Sequence, residues 1–157
     1  MKVAMGAERF GYPLKEILAK HLVGQGHEII DFGMYDLENK LSYIYVSDEV
    51  SKAVASGAAE RGIVLCSSGM GVAIVANKHK GVHCALVESV DTARMSREIN
   101  DANVLALGGS VVDAALATQM VDAFMTTEFA SAGDAARAAL LRSLINEVKA
   151  MEDGNFK

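Results

Sequence analysis

The segment Leu65-Cys66-Ser67-Ser68-Gly69-Met70-Gly71-Val72-Ala73 carries the densest chemistry in the chain. It joins an apolar strand-like run to a helical one. Two glycines let the backbone turn sharply and approach a ligand closely. The start of the following helix leaves unpaired N–H groups with partial positive charge. Such groups can hold an anion or a developing oxyanion. Cys66 ends the strand and is aimed at the same spot, where a thiol near a helix N-terminus forms thiolate more readily. The alternative is a small buried thiol before an ordinary turn. The residues alone leave both open.

Two further segments carry polar groups. Gly6-Ala7-Glu8-Arg9-Phe10-Gly11 follows the first apolar run. Glu8 can hold hydroxyls and Arg9 can hold a phosphate bidentately; the alternative is a solvated charge pair. Met95-Ser96-Arg97-Glu98-Ile99-Asn100-Asp101-Ala102-Asn103-Val104 places polar residues just before another apolar run. Asn100 can orient sugar hydroxyls, because its amide both donates and accepts. The alternative is a polar helix end with Asn and Asp in turns. His21, His27, His79 and His83 fall on helix, turn, basic loop and strand border, none at a strand's carboxyl end.

The elements that position these groups follow from periodicity. Val3-Ala4-Met5, Glu28 to Phe32, Gly62 to Cys66, Val82 to Val87 and Val104 to Leu107 read as strands. Tyr12 to Gln25 reads as a helix through Leu14, Ile17, Leu18 and Leu22, and Val46 to Ala55 through Val46, Val50 and Val54. Helices are also expected at Met70 to Lys78, about 111–126 and 134–151. Alternating strands and helices imply a parallel sheet with helices on both faces. Ligands of such sheets bind beyond the carboxyl ends of the strands. Those ends are Gly6 to Arg9, Cys66 to Gly71, Glu88 to Thr92 and Gly108-Gly109-Ser110.

Composition removes other classes. The chain has 157 residues, the size of one domain. That length buries roughly 70% of its unfolded surface, so no staples are needed. Hydrophobic residues reach 51% and charged residues 22%, a globular balance rather than a disordered one. Mean hydropathy is +0.21. The net charge of −5 argues against a nucleic-acid footprint. No apolar run approaches the ~20 residues of a membrane span, so no membrane role is expected. The first residues lack a signal-peptide core. Cys66 and Cys84 match neither a disulfide framework nor a zinc pattern. With Pro13 as the single proline, no linker divides the chain. Together these features point to a cytoplasmic protein of one domain, 1–157.

At these residues the chain resembles the ribose-5-phosphate isomerase B family, which includes the galactose-6-phosphate isomerase subunits. The resemblance runs from Met1 to about Arg137. It rests on Gly26-His27-Glu28-Ile29-Ile30-Asp31-Phe32-Gly33, Ala53-Val54-Ala55-Ser56-Gly57, the Cys66 to Gly71 loop, Ala76-Asn77-Lys78 and Met95 to Val104. It implies a Rossmann-like three-layer α/β sandwich with a five-stranded parallel sheet. It implies a homodimer or dimer of dimers with sites at the subunit interface, and no cofactor or metal. The implied reaction is aldose–ketose interconversion of a phosphorylated sugar through a cis-enediol. Cys66 matches the catalytic base that moves a proton between C1 and C2. Ser68 stands where the family has threonine, and its hydroxyl can relay the proton between O1 and O2. Ser67 and the backbone of Gly69, Met70, Gly71, Val72 and Ala73 would face the substrate, the amides stabilising the enediolate. Tyr43 and Asn100 match substrate contacts. Arg137 matches a phosphate-binding arginine that reaches in from the partner subunit.

The departures from the family are informative. Its Asp-His pair after the first strand is Glu8-Arg9 here, and its His-Asn-Asp-Ala-Asn motif begins with Ile99. The arginine after Gly-Gly is Ser110, and another falls at Gly133. Arg9 and Arg137 remain as phosphate candidates. Ribose 5-phosphate closes a ring through O4, and opening it needs an acid–base group such as histidine. A tetrose 4-phosphate has its phosphate on O4 and stays open-chain, so an apolar Ile99 suffices. Phe10, bulky where the family often has alanine, would shorten the pocket. The expected reaction is therefore erythrulose 4-phosphate to erythrose 4-phosphate. The alternatives are a pentose or hexose phosphate isomerase that opens rings by another route, or a non-catalytic sugar-phosphate-binding subunit. Beyond Arg137, Ala138, Leu141, Leu144 and Val148 form a stripe for packing or dimerisation, and Glu152 to Lys157 is expected to be a mobile tail.

Overall fold

The computed structural model describes residues 1–38 and 40–156. Five strands form one parallel sheet: β1 (Lys2–Ala7), β2 (Glu28–Asp31), β3 (Arg61–Cys66), β4 (Cys84–Leu86) and β5 (Val104–Gly108). Their order across the sheet is β2-β1-β3-β5-β4. Six helices accompany them: α1 (Tyr12–Gly24), α2 (Tyr43–Ala55), α3 (Met70–Ala76), α4 (Val90–Glu98), α5 (Ala114–Thr126) and α6 (Ala135–Asn155). The expected α/β three-layer sandwich is the architecture observed.

Strand alternation sorts the core into two layers. Val3, Met5, Ile63, Leu65, Leu105 and Leu107 face α1 and α5. Ala4, Val64, Cys66, Val104 and Ala106 face α2 and α3. Both faces are buried, so the strands read as unbroken apolar runs. Each fully buried aliphatic side chain contributes roughly 1.5–3 kcal/mol relative to exposure. Gly6 and Gly62 keep the α2 side shallow: a Cβ at Gly62 would lie 2.9 Å from Val50 and 3.1 Å from Val54. The expected Val46, Val50, Val54 stripe seats directly on these glycines.

Several expectations change. The strand through Val3 continues past Gly6 to Ala7. On α1, Ile17 is 47% exposed and Lys15 takes the interior position at 0%. The polar stretch before β5 contains a full helix, α4, which the reading of the residues gave only as a helix end. Its start is fixed by a reciprocal cap between Ser89 and Thr92. Helix α5 starts later than expected, at Ala114, because the Asp113 side chain accepts the Leu116 N–H at 2.8 Å. Helix α6 continues to Asn155. The expected tail is therefore mostly helix, and an ion pair pins it, Asp153 to Lys80 at 2.6 Å, with Glu152 3.2 Å from the His83 ring. Lys157 lies outside the described residues. On α6 the packed residues are Leu141 and Ile145, while Leu140, Leu144, Val148 and Met151 are exposed. Among the described residues no helix is long and apolar enough to cross a membrane.

Candidate active site

The strand order reverses between β1 and β3, since β1 leads outward to β2 and β3 leads outward through β5. Loops at such a switch point splay apart and leave a crevice at the carboxyl ends. Here the crevice is bordered by Glu8–Gly11, Cys66–Gly69 and Gly108–Ser110. The three loops are locked by backbone bonds. The Glu8 N–H donates to the Leu65 carbonyl at 3.1 Å, and the Gly109 N–H to the Cys66 carbonyl at 2.8 Å. The Ser110 N–H donates to the Ser67 carbonyl at 2.9 Å, and the two hydroxyls lie 3.1 Å apart. A Cβ at Gly109 would collide with the Phe10 carbonyl, and one at Gly11 would lie 2.6 Å from Leu65. Gly69 adopts a left-handed φ of 77°, and a Cβ there would meet Leu86 at 2.5 Å. Only glycine satisfies both demands.

Cys66 is 7% exposed and faces the α2–α3 layer with Val64, Val72 and Ala73. Its Sγ accepts the Gly69 N–H at 3.1 Å, which fixes the sulfur at the mouth of the loop rather than deeper in the core. Cys66 is not among the residues lining the described cavities. Cys84 differs in kind: burial pushes its thiol up to about 12, which keeps it protonated and unreactive near neutrality.

Around Cys66 the structure gathers most of the expected residues. Ser68 Oγ accepts the Met70 N–H at 3.4 Å, a weak bond that leaves the hydroxyl available. The Tyr43 ring lies against Gly71, where a Cβ would come within 3.0 Å of it. Ser42 caps α2 by accepting the Tyr45 N–H at 3.1 Å, so Tyr43 is held on the first turn. Of the amides expected to face the substrate, Gly69's goes to Cys66 and Ala73's to the Gly69 carbonyl at 3.1 Å. Among the described residues the Gly71 and Val72 N–H groups have no backbone acceptor, which narrows the free donors to these two. Met70 points outward, 56% exposed, and Val72 is fully buried. One Glu8 carboxylate oxygen accepts the Phe10 N–H at 2.9 Å, so this acid braces its own loop. Arg9 is exposed, stacks on Phe10 at 5.7 Å and makes no ion pair among the described residues.

Asn100 and Arg137 are not part of this cluster. Asn100 precedes β5 and so lies at the amino end of the sheet, beside Ala85 and Ser96. Cys66 pairs with Gly108 at the other end of β5. Arg137 donates to the Ala132 carbonyl at 2.7 Å and is ion-paired to Glu98, itself 4% exposed. Within one chain this arginine fastens α6 to α4.

A supporting residue escaped the periodicity argument. The fully buried Lys15 ammonium donates to both Asp31 carboxylate oxygens, at 2.8 and 2.7 Å, and to the Met34 carbonyl at 2.8 Å. Beside it the Ala7 N–H donates to the Gly33 carbonyl at 2.6 Å and the Met34 N–H to the Ala7 carbonyl at 2.7 Å. This brace joins the tips of β1 and β2 and anchors the Glu8 loop. The available signal was a lysine in helical register with Leu18 and Leu22.

Comparison with known proteins settles the family. A family model described as ribose/galactose isomerase matches residues 3–141. The chain belongs to this family. It is an aldose–ketose isomerase. Among its relatives is the 4-deoxy-4-sulfo-D-erythrose isomerase of Clostridium sp. strain MSTE9, 36% identical over 157 residues, covering 100% of this chain and 99% of the relative. The ribose-5-phosphate isomerase B of Clostridium thermocellum superposes with a TM-score of 0.88 at 39% identity, covering 99% of each chain. That of Mycoplasma genitalium, solved with bound ribulose-5-phosphate, gives 0.82 at 29% identity, covering 94% of this isomerase and 96% of the other.

Proposed function

We propose that this isomerase interconverts an open-chain tetrulose and its aldose, each carrying an anionic group at C4. The first candidate pair is erythrulose 4-phosphate and erythrose 4-phosphate. Cys66 takes a proton from C1 of the ketose and returns it to C2, passing through a cis-enediol. The Ser68 hydroxyl passes the accompanying proton between O1 and O2. Gly71 and Val72 N–H groups face the oxygen that gains charge, and Tyr43 borders the sugar. Arg9 holds the C4 anion with its free guanidinium. The observation that carries the reading is Cys66 and Ser68 on one glycine-shaped loop at the switch point, with no histidine beside them to open a ring.

The full-length likeness to a 4-deoxy-4-sulfo-D-erythrose isomerase favours a second substrate with the same logic. A sulfonate on C4 also removes the O4 hydroxyl, so that sugar cannot close a five-membered ring. The Arg9 guanidinium can hold a sulfonate as well as a phosphate. A panel of erythrulose 4-phosphate, the 4-deoxy-4-sulfo analogue and ribose 5-phosphate separates these cases. A tetrulose is expected to turn over with kcat/KM at least 100-fold above ribose 5-phosphate. Efficient turnover of ribose 5-phosphate with neither tetrulose accepted would reject the tetrose reading.

We also infer that two copies build each site. Arg137 is paired with Glu98 in its own chain, and in this reading a second copy supplies Ile99, Asn100 and Arg137 to Cys66. The exposed apolar face of α6, with Leu140, Leu144, Val148 and Met151, is the surface on which such a copy would pack. Leu144→Glu with Val148→Glu is expected to give a folded monomer with activity reduced at least 100-fold. Light scattering with a turnover assay reads both. A wild-type chain that is monomeric and fully active removes the inference.

A further inference from the structure

The largest described cavity, about 500 Å³, lies at the amino end of the sheet, opposite Cys66. It is framed by the starts of β3 and β5 and by the last turns of α6. Arg97 is 4% exposed; it donates to Asp101 at 2.9 Å and to the Ala102 carbonyl at 2.6 Å, yet its Nε has no partner. Arg61, the first residue of β3, is half-buried. Its one acceptor is the Glu60 carbonyl at 2.9 Å, and its buried Nε is also unpartnered. Burial lowers its affinity for its proton and the neighbouring Arg97 charge adds to the effect, against the opposing charges of Asp101 and Glu60.

Two of the four acids around the cavity are engaged by cations. Asp101 serves Arg97, Asp153 serves Lys80 at 2.6 Å and Glu152 faces His83 at 3.2 Å. One Glu60 oxygen accepts the Lys2 N–H at 3.0 Å. Lys149 borders the cavity from α6 with no ion pair among the described residues. Neither Arg61 nor Lys149 makes an ion pair among the described residues, although Asp101 and Glu60 lie near enough to favour the Arg61 charge. A buried guanidinium with an unpartnered N–H is costly, and an anion that accepts from that N–H relieves the cost. Arginine forks fit tetrahedral oxyanions, and the volume falls in the range of small-molecule sites.

We propose that this cavity binds a phosphate monoester dianion through Arg61, Arg97 and Lys149, tying the end of α6 to the sheet. The test is isothermal titration of the full chain with inorganic phosphate, and separately with the enzyme's sugar phosphate, in chloride buffer. Wild type should bind inorganic phosphate at one more site per chain than Arg61→Met, or at least tenfold more tightly there. Lys149→Ala, on an exposed helix face where folding is not at stake, should weaken that site at least threefold. Both variants should keep turnover within twofold of wild type. Tighter binding of the sugar phosphate than of inorganic phosphate at this site would show that the carbon part is recognised; equal binding would make the free ion the ligand. Identical titrations of wild type and both variants overturn the proposal. So does loss of all phosphate binding in Arg9→Met, which would place the anion at the carboxyl end alone.

Discussion

Replacement of Cys66 by alanine is expected to lower kcat by about three orders of magnitude while leaving substrate binding within a few-fold. A positioned general base contributes roughly 10²- to 10⁴-fold. Cys66 is the group whose sulfur is fixed at the mouth of the Gly69 loop, by an N–H at 3.1 Å. The side chain is small and lies at the edge of its cluster, so the change should cost only about 1 kcal/mol of stability. Solvent deuterium should enter C2 of the aldose in the wild type and fail to do so in the variant. Turnover within threefold of wild type would take Cys66 out of the reaction. The Cys84→Ala variant supplies the contrast, since a thiol pushed to about 12 by burial has no base to lose.

Lys15→Met should destabilise the fold by about 3 kcal/mol, because it strands a partly buried carboxylate. The figure sits at the low end for a broken buried pair because the Asp31 side chain is 33% exposed and keeps some water. For a chain of this size that is a fall in Tm of about 6–12 °C. Asp31 also accepts the Gly33 N–H at 2.8 Å, so it retains one bond after the lysine is gone. Adding Asp31→Asn should restore at least ~1 kcal/mol, since the stranded charge is then removed. Urea unfolding measures both values. A single variant within 0.5 kcal/mol of wild type would mean that the ammonium is replaceable by water. Activity should fall with stability, since the Glu8 loop hangs from the same strand tips.

The two cases show different degrees of legibility. The Cys66 loop was readable because its demands are local. A strand end, two glycines and a helix start are successive residues, and Gly69 has to be glycine for its own φ. The strands were readable because burial on both faces leaves uninterrupted apolar runs. Lys15 was not readable in the same way. Hydropathy puts Ile17 inside and Lys15 outside, and the packing does the reverse. The reversal depends on Asp31 and the Met34 carbonyl, which come from another crossover. Helix α4 was missed as an element because it is short and polar, and its Ser89–Thr92 cap is a weaker signal than a run of apolar residues. The expected tail is held as helix from outside its own sequence, where Lys80 pairs with Asp153.

The sequence by itself determined the layer order, the turn that presents Cys66 and Ser68, and the family resemblance. For Asn100 the residues gave only a polar cluster before a strand, and the resemblance alone joined it to Cys66. Tertiary structure decided which charges are spent and which are free. Arg137 is held by Glu98 and Lys15 by Asp31, while Arg9 and Arg61 make no ion pair among the described residues. Local residue patterns govern helices and turns because their hydrogen bonds close over a few residues. Ion pairs between distant elements depend on how the crossovers stack, and that is fixed only when the whole chain has packed.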